Sequence, residues 1–340
     1  MKRALVVFLL LFSMSVHAQK PDAEGSLVRW LELEEAMRLM EQTPKPMILD
    51  FYTDWCGWCK KMMKTTYANQ SIAQYINTNF YPVKFNAEGK DTVTYLGKVY
   101  KSTSGEPKAP HELAVQLLQG KLMYPTTFFS NNYNKEKKEF GLNMIASGYL
   151  DEKKIEPILI YTVENVNRNA SLDEFTKRFE QSFYDSTLQQ RTREVKWETL
   201  ETLFSSNLPL QKKSLVFINT EWCNSCKVMK QTSFSDTLLS KYLGEKFNLV
   251  NFNAERTDTI IFKGHKFFNQ KSALQPFHQL AVALCRDKFS LPTLVVLDEK
   301  LDLIDAIPYY LPPAALNDIL HYFGDDVYKA KTWQAFMEKK

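Results

Sequence analysis

Trp55-Cys56-Gly57-Trp58-Cys59-Lys60 is the stretch on which the reading of this chain turns. Ahead of it lies a short apolar run, Met47-Ile48-Leu49-Asp50-Phe51-Tyr52, that reads as a buried strand. Behind it, helical spacing runs from Lys61 to Tyr67 and on to Tyr75. Two cysteines two residues apart at a strand-to-helix junction can close a small disulfide ring. The first then stands at a helix N-terminus, where unpaired amides and the helix dipole favour a thiolate. Thiol–disulfide exchange needs that attacker and a second thiol to resolve the mixed disulfide. CxxC is also half of a zinc site.

The other four-residue pair, Cys223-Asn224-Ser225-Cys226, is the key to the rest of the chain. A shift of 167 residues sets Trp30 on Trp197, Trp55-Cys56 on Trp222-Cys223 and Cys59-Lys60 on Cys226-Lys227. Phe85-Asn86-Ala87-Glu88 then meets Phe252-Asn253-Ala254-Glu255, His111 meets His278, and Pro125-Thr126 meets Pro292-Thr293. From Tyr149-Leu150 against Tyr310-Leu311 the offset is 161, so copy two is six residues shorter beyond the prolines. Two large copies make a tandem duplication and not a solenoid. Each copy predicts a helix, a buried strand, the CxxC and its helix. A second strand follows, then a hairpin at Gly97 or Gly264, a helix from His111 or His278, a strand after Pro125 or Pro292, and a last strand and helix. The predicted boundaries are 26–162 for copy one, 163–194 for a helical linker opened by the capping box Ser171-Leu172-Asp173-Glu174, 195–330 for copy two and 331–340 for a helical tail. A zinc site would have to draw its ligands from cysteines 167 residues apart, each in its own unit.

Composition narrows the class. A chain of 340 residues with 44% apolar and 13% aromatic residues has ample material for two cores. A net charge of +4 from 43 basic and 39 acidic residues, with no basic run, points away from nucleic acid. Residues 1–18 have a positive start at Lys2-Arg3, an apolar stretch Ala4 to Phe12 and a small-residue exit Val16-His17-Ala18. That reads as a secretory signal peptide with the mature chain starting at Gln19. The expected address is an exported compartment such as a bacterial periplasm, with the protein soluble after cleavage.

Strand, WCxxCK, helix, strand, helix, then an apolar-Pro-Thr before a strand resembles the thioredoxin fold, met twice. The fold class that follows is α/β: two tandem thioredoxin-like domains, each a central mixed sheet flanked by helices, with an inserted hairpin and a helical linker. The longer hairpin segment brings the chain nearer to the elongated, exported thioredoxin-like proteins. The resemblance implies that Cys56 and Cys59, and Cys223 and Cys226, are redox-active pairs. It matches Asp50 to the family's buried acid, placed to take the proton of Cys59, and Lys84 to the lysine that faces this acid. It implies partner contact at Trp55, Tyr124 and the cis-proline Pro125, and in copy two at Trp222, Leu291 and Pro292. The central dipeptides, Gly57-Trp58 and Asn224-Ser225, are neither the Gly-Pro of thioredoxins nor the His-containing pair of strong oxidases. With no histidine beside Cys56, disulfide reduction or isomerisation is expected over net oxidation. The implied partners are thiol- or disulfide-containing proteins and a membrane electron donor; no cofactor beyond the disulfides and no metal is expected.

Copy two departs where it matters. Phe217 stands at the place of Asp50 and Asn251 at that of Lys84. Without a base, copy two is expected to exchange more slowly, and a thioredoxin-fold binding or scaffold protein with little turnover is the alternative. Cys285 aligns with Leu118 and reads as a buried, unpaired thiol. His111 and His278 read as packed or capping residues, and Met62, Met63 and Met229 as core.

Overall fold

In the computed structural model of the chain, residues 23–187, 195–205, 208–272, 275–286 and 289–338 are described; the signal-peptide reading of 1–18 lies outside them. Copy one opens with α1 (Leu33–Gln42), β1 (Met47–Tyr52), α2 (Gly57–Lys64), α3 (Gln70–Asn79) and β2 (Tyr81–Asn86). The hairpin β3 (Val93–Tyr95) and β4 (Lys98–Tyr100) leads to α4 (Glu112–Leu117), β5 (Thr126–Asn134), β6 (Glu139–Ser147) and α5 (Glu152–Val163). Its sheet has the order β2-β1-β5-β6, with β1 parallel to β2 and the other pairs antiparallel.

Alternation along β1 explains the layers. Met47, Leu49 and Phe51 face α1 and α4, packing on Leu33, Ala36, Met40 and Leu113. Ile48 faces the other way, onto Met62 and Met63 of α2, Ile72 and Ile76 of α3 and Ile155 of α5. Asp50 shares that second face and is fully buried. The single long helix expected from Lys61 to Tyr75 is broken. Asn69 caps a new helix, its side chain accepting from the amides of Ser71 and Ile72, and the break carries Tyr67 inward.

After the linker helix α6 (Leu172–Tyr184), copy two repeats the plan: α7 (Leu200–Phe204), β7 (Lys213–Asn219), α8 (Asn224–Val228) and a π-helical turn Met229–Ser233. Then come α9 (Thr237–Lys246), β8 (Phe247–Asn253), the hairpin β9 (Ile260–Phe262) and β10 (His265–Phe267), α10 (Gln279–Leu284), β11 (Thr293–Leu297), β12 (Leu303–Pro308), α11 (Pro313–Gly324) and α12 (Trp333–Met337). Its sheet has the matching order β8-β7-β11-β12. The six missing residues shorten the β11–β12 hairpin relative to the nine-residue strands β5 and β6.

The linker helix is no tether. Phe175 and Phe179 of α6, with Ile160 and Tyr161 of α5, lie in one apolar cluster with Leu215, Phe217, Val228 and Tyr310 of copy two. Burial of each ring stabilises this junction by about 2–3 kcal/mol. Cys285 is buried and unpaired, and burial pushes its thiol up to about 11. In the native chain it should resist a thiol reagent at pH 8 and react on denaturation; rapid native labelling, read by peptide mass mapping, would contradict this.

Candidate active site

Both cysteine pairs are closed as disulfides, Cys56–Cys59 and Cys223–Cys226, each with Cα atoms 5.3 Å apart. Cys56 is the N-cap of α2, and the Cys59 amide donates to its Sγ over 3.1 Å; in copy two the Cys226 amide reaches Cys223 Sγ over 3.2 Å. These amides point at the atom that carries charge when the pair is reduced, which favours its thiolate.

All four sulfurs belong to buried residues, yet an exposed aromatic stands beside each pair: Trp55 and Trp58 are 57% exposed and Trp222 is 53% exposed. The indole of Trp55 donates to the carboxylate of Glu88, and that of Trp222 to Glu255. These acids close the repeated Phe-Asn-Ala-Glu motif, whose recurrence in register marked them although sequence reasoning assigned them no role. Tyr124 meets Trp55 edge-on at 6.3 Å, and Trp58 lies against Tyr149 with the Lys61 ammonium above both rings. The Tyr124–Pro125 and Leu291–Pro292 peptide bonds are cis. The amides of Gly148 and Tyr309 donate to the carbonyls of Pro125 and Pro292.

Beneath copy one, Asp50 Oδ1 accepts from the Tyr67 hydroxyl over 3.1 Å and from Thr127 Oγ1 over 3.0 Å, while Oδ2 is buried without a partner. Burial pushes its carboxyl up to about 6, against the pull of those two hydroxyls and of Lys84. A carboxylate with one free oxygen and that affinity for protons suits a general base near neutral pH. The charge of Lys84 pulls the Asp50 carboxyl down. The two are level across β1 and β2, but the ammonium pairs with Glu24 and lies over the Tyr52 ring. Lys84 acts on Asp50 through its field and not through a hydrogen bond.

Copy two replaces the whole constellation. Phe217, Phe234 and Leu294 stand where Asp50, Tyr67 and Thr127 stand, and Phe217 packs on Trp197 and Phe234 at 5.8 and 5.0 Å. Asn251 accepts from Asn219 and Lys230. The two histidines are caps. His111 Nδ1 accepts from the Leu113 amide and His278 Nδ1 from Leu280, while each Nε2 meets a backbone carbonyl, of Asp91 or Asp258. Among the described residues no group of three His, Cys, Asp or Glu is placed to hold a metal ion.

Two family models match the chain. Thioredox_DsbH, described as a protein of unknown function, DUF255, covers residues 15–158, and Thioredoxin_2, a thioredoxin-like domain, covers 205–324. The chain belongs to the thioredoxin-like family, twice over. An uncharacterized protein of Archaeoglobus fulgidus is 32% identical over 87 residues, 26% of this chain and 65% of that protein. A protein of Ralstonia nicotianae named thiol:disulfide interchange protein DsbD is 37% identical over 57 residues, 16% of this chain. The chain thus spans just under two thirds of the first relative and 9% of the second. A thioredoxin-fold protein from Helicobacter pylori aligns over 47% of this chain and 92% of its own at 18% identity, with a TM-score of 0.29. At that score the overlay adds nothing to the strand order above. Both thioredoxin-like domains have a closed CxxC, a Trp–Glu hydrogen bond and a cis-proline, and the first has the buried Asp50. Among the described residues no helix is long and apolar enough to cross a membrane.

Proposed function

We propose that the protein is an exported thiol–disulfide oxidoreductase that reduces or isomerises disulfides in partner proteins, with the first domain the more competent. The observation that carries this is Asp50, buried on the sheet face that packs α2 and left with one unpartnered oxygen. In reduction, the Cys56 thiolate attacks a partner disulfide and releases one partner thiolate. Cys59, its proton taken by Asp50, then attacks Cys56 Sγ. The second partner thiol leaves and Cys56–Cys59 closes. Two electrons pass to the partner, and a dithiol donor, for which a membrane protein is the natural source, restores the pair. Trp55, Tyr124 and Pro125 line the partner's approach in domain one, and Trp222, Leu291 and Pro292 in domain two. The name of the Ralstonia relative agrees with this chemistry. Export rests on the pattern of residues 1–18, and the working units are 26–162 and 195–330, joined through 163–194 and followed by a tail, 331–340.

Binding without turnover finds its support in domain two, where the acid's place is filled by packed Phe217. The test is trapping. With Cys59→Ser, mixed disulfides with partner proteins should accumulate through Cys56, and adding Cys56→Ser should abolish them. Traps that persist with Cys56 replaced, in a chain also lacking Cys223 and Cys226, would refute the assignment.

A further inference from the structure

Glu164 is the second residue of the linker, directly behind the last helix of domain one, and it ends in the cysteine site of domain two. It caps the C-terminus of α5, and the left-handed Asn165 turns the chain behind it. Its Oε1 accepts from the Asn224 amide over 3.1 Å, its Oε2 from the Ser225 amide over 2.7 Å, and Oε2 lies 3.7 Å from Cys223 Sγ. Those amides open the helix behind Cys223. Among the described residues no carboxylate meets their counterparts on Gly57 and Trp58 in domain one.

The segment that follows stays on the same face. Asn169 donates to the Pro308 carbonyl over 3.2 Å, Arg168 lies over the Tyr309 ring, and Tyr309 is the residue whose amide binds the Pro292 carbonyl. Ser71, Gln74 and Tyr75 of α3 form a cleft with Glu164, Trp222 and Asn224. The linker thus runs alongside the edge of domain two that a partner chain would use.

The electrostatics follow from position. Amides at a helix start stabilise a thiolate on the residue before them. A carboxylate bonded to them takes that field for itself, and its charge beside the sulfur opposes a second negative charge. Burial in turn pushes the Glu164 carboxyl up, against the Ser225 hydroxyl, the two amides and Lys227 of α8. Tyr75 of α3 also faces it, its phenol pushed up mainly by burial and further by Glu164.

We propose that Glu164, supplied by the linker at the end of α5, is the positioning residue that sets the reactivity of domain two, holding reduced Cys223 as a thiol. This rests on reading the pairs as exchanging disulfides, and it gives the slowness of domain two a cause separate from Phe217. Reduction by a dithiol protein converts Cys223–Cys226 into two thiols and the dithiol into a disulfide, with two electrons and two protons transferred. Glu164 makes Cys223 the poorer leaving group in the forward step and the poorer nucleophile in the reverse one.

The test uses the full chain with Cys56→Ser and Cys59→Ser, reduced with dithiothreitol. Alkylation of Cys223 by iodoacetamide is followed against pH by peptide mass mapping, with thermal unfolding as a check on folding. Glu164→Gln should lower the pH midpoint of Cys223 by a unit or more, raising its alkylation at pH 7 roughly tenfold. An unchanged midpoint in a folded variant overturns the proposal, since a role in packing alone would not move it. Should the variant not fold, the full chain with all its cysteines, reduced in the same way, decides: the midpoint of Cys223 should lie above that of Cys56, and the reverse order overturns the proposal. A midpoint that moves in a protein with no exchange at either pair would sink the oxidoreductase reading and leave this one standing. Exchange at domain one with an unmoved Cys223 would do the opposite.

Discussion

Asp50→Asn should slow disulfide reduction by the first domain on the order of a hundredfold at pH 7, while making the folded protein more stable there. The two effects share one cause. Burial holds the Asp50 carboxyl at about 6, above its ordinary 3.8, so the folded state prefers the protonated form. That preference stabilises the fold fully below the ordinary value and is lost as pH rises through 6. A displacement of this size corresponds to about 3 kcal/mol. Asparagine keeps the acceptor for Tyr67 and Thr127 and never ionises. In urea unfolding at pH 8, Asp50→Asn should therefore exceed the parent by up to about 3 kcal/mol, and the gap should close below pH 4. A variant as fast as the parent at pH 7, or no more stable at pH 8, would contradict the assignment of Asp50 as a desolvated base.

The second domain should respond in the opposite sense, and only to a concerted change. Phe217→Asp alone places an unpaired carboxylate among Trp197, Phe234 and Leu294, and should cost on the order of 3–5 kcal/mol. Adding Phe234→Tyr and Leu294→Thr restores the two hydroxyls that Asp50 accepts from in domain one. The triple variant should recover much of that loss. In a chain lacking Cys56 and Cys59, it should also raise exchange at Cys223–Cys226 by about tenfold or more. Stopped-flow exchange against a small disulfide, with urea midpoints alongside, measures both. If the single change were as stable as the triple, the three positions would not form one polar unit.

Most of the fold was legible because it is written twice. The offset of 167 residues aligned strand, CxxC, hairpin and proline in both copies. The break at Asn69 was missed because Tyr67 to Tyr75 continues an apolar spacing across a capping residue. That break matters, since it turns Tyr67 toward Asp50. Lys84 stands level with Asp50 in strand register, and nothing in the sequence showed that its ammonium also pairs with Glu24. Phe234 at the place of Tyr67 and Leu294 at that of Thr127 were open to view in the repeat but were passed over, and their joint loss with Asp50 would have pointed to a shared role. Glu164 left no local mark, because its function depends on how one domain meets the other.

The central claim is that the Cys56–Cys59 pair, served by Asp50, carries the exchange. Turnover of a protein disulfide by the full chain, measured at pH 7 with a dithiol donor, tests it most directly. Two variants are compared, Cys223→Ser with Cys226→Ser, and Cys56→Ser with Cys59→Ser. The first should turn over on the order of a hundredfold faster than the second; equal rates, or the reverse order, would contradict the account.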